Sequence, residues 1–66
     1  MNIEKFIANV WYKQKLILID DYCNTIISAT AEQLWRKGNH LMARKIDVFQ
    51  ANNKGEIVIT LKRSKY

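Results

Sequence analysis

Thr30-Ala-Glu-Gln-Leu-Trp-Arg-Lys-Gly-Asn-His-Leu-Met-Ala-Arg-Lys45 is the stretch on which the fold turns, because it holds a helix start and one of the chain's two glycines. Thr30 is placed to cap the helix. Its hydroxyl can accept from the Gln33 backbone N–H while the Gln33 side chain reaches back, and Glu32 suits the positive end of the helix dipole. Arg36-Lys37-Gly38-Asn39 resembles a stop, with cations in a last turn and glycine just beyond. Phase argues the other way. At ~100° per residue, Ala31, Leu34, Trp35, Gly38, Leu41 and Met42 share one side of a helical wheel, and Gln33, Arg36, Lys37, His40 and Arg44 share the opposite side. A glycine costs only about 1 kcal/mol relative to alanine inside a helix, less than burial of Leu41 and Met42 returns. The spacing therefore predicts one amphipathic helix over about 31–44.

That helix arranges the charge. Arg36, Lys37, His40 and Arg44 fall on one solvent-facing side, with Lys45 nearer its edge. Despite Glu32 nearby, the stripe reads as cations without intrahelical partners. The plainer alternative is a charged face that only keeps the helix soluble.

On either side of the helix lie hairpin patterns. Leu16-Ile-Leu-Ile19 and Thr25-Ile-Ile-Ser-Ala29 flank Asp20-Asp-Tyr-Cys-Asn24, where the aspartates are expected to cap backbone. Ile46-Asp-Val-Phe-Gln50 and Glu56-Ile-Val-Ile-Thr-Leu61 flank Ala51-Asn-Asn-Lys-Gly55, whose Asn and Gly tolerate positive φ. Residues 2–12 are ambiguous. Ile3, Phe6, Ile7, Val10 and Trp11 have helical spacing, yet the segment is rich in β-branched and aromatic residues, so it is helix or strand. The expected class is α+β: a small antiparallel sheet of two hairpins, about 16–29 and 46–62, packed on one helix. Residues 1–66 form a single small domain ending in a basic tail, 62–66.

Size and composition bound the function. Sixty-six residues bury a modest core, and chains this small commonly need a staple or a partner. One cysteine excludes an intrachain disulfide, and one histidine with one cysteine offers no zinc set, so no metal or cofactor is expected. A homodimer is a natural alternative source of buried surface. The net charge of +5 and pI near 9.6 favour phosphate backbones or acidic protein surfaces as partners. No apolar run approaches the ~20 residues of a membrane span, and "MNIEKF" lacks a secretory layout. A lone thiol then points to the cytoplasm.

No catalytic constellation is visible. Asp20 and Asp21 are adjacent rather than convergent, His40 lacks a partner acid or nucleophile, and Cys23 reads as a buried or incidental thiol. The expected function is a small basic nucleic-acid-binding protein that contacts RNA or DNA backbone with low sequence specificity. Its expected contacts are Arg36, Lys37, His40, Arg44 and Lys45, extended by Lys62, Arg63 and Lys65. Phe49 would stack bases if it lies on an uncovered sheet face with Trp11 or Tyr12 nearby, whereas Trp35, central in the apolar stripe, is expected in the core. The alternative is a phage- or mobile-element-type accessory protein that binds and inhibits or modulates a larger protein. It would do so through strand 56–61 at a sheet edge or through the basic helix face.

Overall fold

Two runs of branched aliphatic residues, each folded back by an Asp- or Asn-rich turn, build the sheet. In the computed structural model, which describes residues 1–63, β1 (Lys15–Ile19) pairs antiparallel with β2 (Thr25–Thr30). Likewise β3 (Ile46–Ala51) pairs antiparallel with β4 (Ile57–Leu61). The fold is α+β, with both hairpins present. They join through β1 and β4, which run parallel with Leu16 opposite Ile57 and Leu18 opposite Ile59. Strand order is β2-β1-β4-β3, so the sheet is mixed rather than wholly antiparallel. The crossover explains this. The helical segment leaving β2 traverses the sheet before β3 begins, which returns β4 parallel to β1. Strand 57–61 is consequently interior. The expectation that it might pair with a partner at an edge is overturned, since β2 and β3 form the edges.

Both turns are closed by side chains. Asp20 Oδ1 accepts from the backbone N–H of Tyr22 and of Asn24, each at 2.8 Å, which lets Cys23 sit at φ 66°. Cys23 is exposed rather than buried. The hydrogen bond from the Asn24 backbone, aided by that from Tyr22, holds the Asp20 carboxyl below its usual range. A depressed folded-state pKa means the turn is stabilised at neutral pH and loses that support as pH falls through and below the ordinary aspartate range. Amide chemical shifts of Tyr22 and Asn24 should titrate together there, and Asp20→Asn should abolish that step. In the second turn Asn52 Oδ1 accepts from Lys54 N and Glu56 N, while Gly55 takes φ 77°.

The core lies on one side of the sheet. Leu16, Leu18, Ile59 and Leu61 pack there against Ile3, Phe6 and Ile7 of α1 (Ile3–Ile7), Ala31 and Leu34 of α2 (Ala31–Lys37), and Leu41. The N-terminal segment is helical only as far as Ile7. Asn9 and Val10 donate to Phe6 and Ile7, three residues back, so the coil tightens and ends before Trp11. Its start is pinned where Ile3 N donates to Arg44 O and Ile46 N donates to Met1 O.

The single helix over 31–44 is not formed. The capping box at Thr30 and Gln33 is present, with Gln33 N to Thr30 Oγ1 at 3.2 Å and Thr30 N to Gln33 Oε1 at 3.1 Å. Thr30→Ala should lower unfolding free energy by about 1 kcal/mol, read from a urea titration with unchanged slope. At Gly38, however, the backbone moves to φ −103°, ψ 29°, and a 3₁₀ turn follows over Asn39–Leu41. The tighter coil still buries Leu41 and half-buries Met42, so the apolar stripe survives the break while the helix does not. Gly38 is buried against Leu34, whose Cδ1 would lie 2.6 Å from an added Cβ.

Candidate nucleic-acid interface

The expected cations do not form one helical stripe. Arg36 pairs with Glu32 at 3.6 Å, an i,i+4 ion pair that overturns the reading of unpartnered cations. Lys37 is exposed in the last turn of α2 and His40 is exposed in the 3₁₀ turn. With the helix ended at Lys37, no common phase links these residues to Arg44.

Strand pairing gathers a different subset. Lys62 N donates to Lys45 O at 2.9 Å, continuing the ladder one step beyond the Ile46–Leu61 pair. Lys45 and Lys62 are therefore cross-strand neighbours with like charges directly opposed, an arrangement that costs up to about 1 kcal/mol. Arg44 reaches across as well, its Nη2 donating to Lys62 O at 3.3 Å. Among the described residues, none of Lys37, Arg44, Lys45 and Lys62 has an acid within ion-pair distance. Asp47 stands in the bulge after Ile46, and Glu4 is tied to the turn preceding Arg44 by its backbone N–H, which donates to Met42 O. Both are exposed.

Arg63 leaves this group. Its Nε lies 3.1 Å from Asp21 Oδ2, its guanidinium sits 5.5 Å over the Tyr22 ring, and Nη2 donates to the Tyr22 hydroxyl. Lys65 lies outside the described residues.

Among the described residues nothing covers the other side of the sheet, but Phe49 is not on it. Phe49 pairs with Ile59, a core residue, and its ring packs 4.8 Å from that of Phe6 at the rim of the covered side. Alternation places Ile17, Ile19, Ile26, Val48, Val58 and Thr60 on the open side, with Ser28 and Gln50. A Lys15–Glu56 pair at 3.5 Å borders one end. The Glu56 carboxyl is held below its usual range, chiefly by the Asn52 side-chain hydrogen bond and then by Lys15. None of the strand residues on this side is aromatic, so among the described residues Phe49 does not supply the stacking platform expected there.

The exposed aromatics gather elsewhere. Backbone bonds from Ala31 N to Gln14 O and from Glu32 N to Tyr12 O, both 2.9 Å, tie residues 11–14 to the start of α2 and use its first free donors. Between α1 and α2 this leaves a groove of about 280 Å³ lined by Ile7, Val10, Tyr12, Ala31, Glu32 and Trp35, among others. Trp35 is 53% exposed rather than core, Tyr12 is 53% exposed, and Trp11, 65% exposed, lies edge-on to Tyr12 at 6.0 Å. Lys13 Nζ stands 5.7 Å from the Tyr12 ring centre. The sequence signal for this groove was the pairing of Glu32 with Trp35 one turn on, beside a Trp-Tyr-Lys run.

Comparison with known protein families, curated proteins and solved structures gives no match. Function must come from the geometry. Among the described residues no three His, Cys, Asp or Glu side chains cluster in a way that could hold a metal ion, and no helix is long and apolar enough to cross a membrane.

Proposed function

We propose that this chain is a small basic nucleic-acid-binding protein that grips the phosphate backbone where β3 begins and β4 ends. One observation carries the reading: Lys45 and Lys62 are held side by side by the Lys62 N to Lys45 O bond, with Arg44 Nη2 donating to Lys62 O. Opposed like charges are unfavourable in the free protein and are relieved by a polyanion, so binding gains what folding gave up. Lys37 and His40, exposed at the end of α2 and in the turn after it, extend the footprint, and Arg36 adds to it where Glu32 releases it. Contacts of this kind give affinity without base choice and strong salt dependence. The test is a titration with RNA and DNA oligonucleotides at ~0.05 and ~0.2 M salt, where six phosphate contacts would change affinity on the order of a thousandfold. Absence of binding at the lower salt overturns the proposal.

A second reading, an accessory protein that modulates a larger protein, is favoured by the uncharged centre of the open sheet side, Ile17, Val58 and Thr60. A pull-down after nuclease treatment separates the two. Retention of one stoichiometric protein partner, with no oligonucleotide binding in the titration, supports the second.

A further inference from the structure

Three surfaces stand apart from the Lys45–Lys62 pair: the open sheet side, the Arg63–Tyr22–Asp21 cluster and the aromatic groove. The first is uncharged at its centre, and the second is satisfied internally. The groove is neither. We infer that it receives an unpaired nucleobase, so that the nucleic acid bound is single-stranded; this inference rests on the polyanion reading and specifies its ligand.

The groove's chemistry fits a base and its phosphates together. Tyr12 and Trp35 contribute exposed rings to a groove whose lining by Ile7, Val10 and Ala31 is apolar. A planar heterocycle has the shape to lie there, and stacking on an aromatic side chain tolerates any base. The volume, about 280 Å³, lies just under the ~300 Å³ lower end for small-molecule pockets, which suits one ring system rather than a larger ligand. Glu32 is the acid in the lining, and Arg36 holds it at 3.6 Å. Its carboxylate can accept from an exocyclic amine, as on adenine, cytosine or guanine. An isolated acid at this position would repel a phosphate, but Arg36 compensates it, and Lys13, with Nζ 5.7 Å from the Tyr12 ring centre, adds a second cation near the lining. An apolar peptide side chain could fill the same space, yet it has no use for the Arg36 and Lys13 cations beside the lining residues. In a duplex the bases are stacked on one another and cannot enter.

The test uses labelled eight-residue adenine and thymine single strands and a hairpin duplex, followed by anisotropy. A Trp11→Phe protein serves in parallel, so that Trp35 alone reports by fluorescence. Single strands should bind at least tenfold more tightly than duplex and quench Trp35. Trp35→Ala and Tyr12→Ala should each weaken single-strand binding about tenfold, while Trp35→Phe keeps most of it. Thermal melts of each variant separate lost binding from lost fold. Equal affinity for duplex and single strands, with Trp35 unquenched and Trp35→Ala binding like the parent, overturns the inference. If reversal of Lys45 and Lys62 still removes binding in that case, the polyanion reading stands alone. If no oligonucleotide binds at low salt, both fall.

Discussion

Replacing Lys45 and Lys62 together by glutamate is expected to lower oligonucleotide affinity about a hundredfold at ~0.1 M salt. It should also reduce the slope of log affinity on log salt by about 1.5, since each lost phosphate contact removes about 0.7–0.9. The single change Lys62→Glu gives the sharper result. It sets opposite charges across the Lys45–Lys62 step, so the folded state should gain a few tenths to about 1 kcal/mol while binding weakens. Stability and affinity would then move in opposite directions, which a merely structural role for these lysines does not produce. Urea titration and anisotropy on the same samples decide it. A variant that is stabilised and binds as well as the parent removes Lys62 from the interface.

The largest effect on stability from adding a single carbon is expected at Gly38. A Cβ there would lie 2.6 Å from Leu34 Cδ1 and 2.8 Å from Leu34 O. Leu34 is fully buried, so its side chain has nowhere to swing. Gly38→Ala should therefore cost about 1–3 kcal/mol, despite alanine's better helix propensity. In a domain of this size that is a large share of the total. Leu34→Ala alone should cost about 2–5 kcal/mol by leaving a cavity. Combining the two should cost less than their sum, because the new methyl occupies part of the vacated space while the clash with the Leu34 carbonyl remains. Additive costs in a denaturant double-mutant cycle would show that Leu34 is not what excludes a side chain from position 38.

What the sequence disclosed was local. The Thr30–Gln33 capping box appears as read; Asp20 caps its turn while Asp21 pairs with Arg63 instead, and in the second turn Gly55 alone takes the positive φ, with Asn52 acting through its side chain. The helix end depended on competition between a local stop and a longer-range phase. Phase lost its meaning as a helix signal because a 3₁₀ turn can also deliver Leu41 to the core. Trp35 lies on the stripe, but it flanks residues 11–14 and α1 instead of the sheet, so the stripe's edge stayed exposed. The parallel join of β1 and β4 has no local signature, since it follows from where the crossover delivers β3. Two features were legible and passed over. Glu32 and Arg36 stand at ion-pair spacing, and a hairpin that sets Ile46 against Leu61 also sets Lys45 against Lys62.

The parallel join also governs how the molecule assembles. Leu16 and Ile57 meet although 41 positions separate them, so everything between must be organised before that seam can close. Either hairpin by itself is a two-stranded ribbon with one greasy side and no lid, a marginal object in water. The slow step of folding is then the meeting of two such ribbons, not the making of either. Changes along the seam will be felt in the rate of refolding, whereas trimming a cap or a turn will mostly hasten the way out.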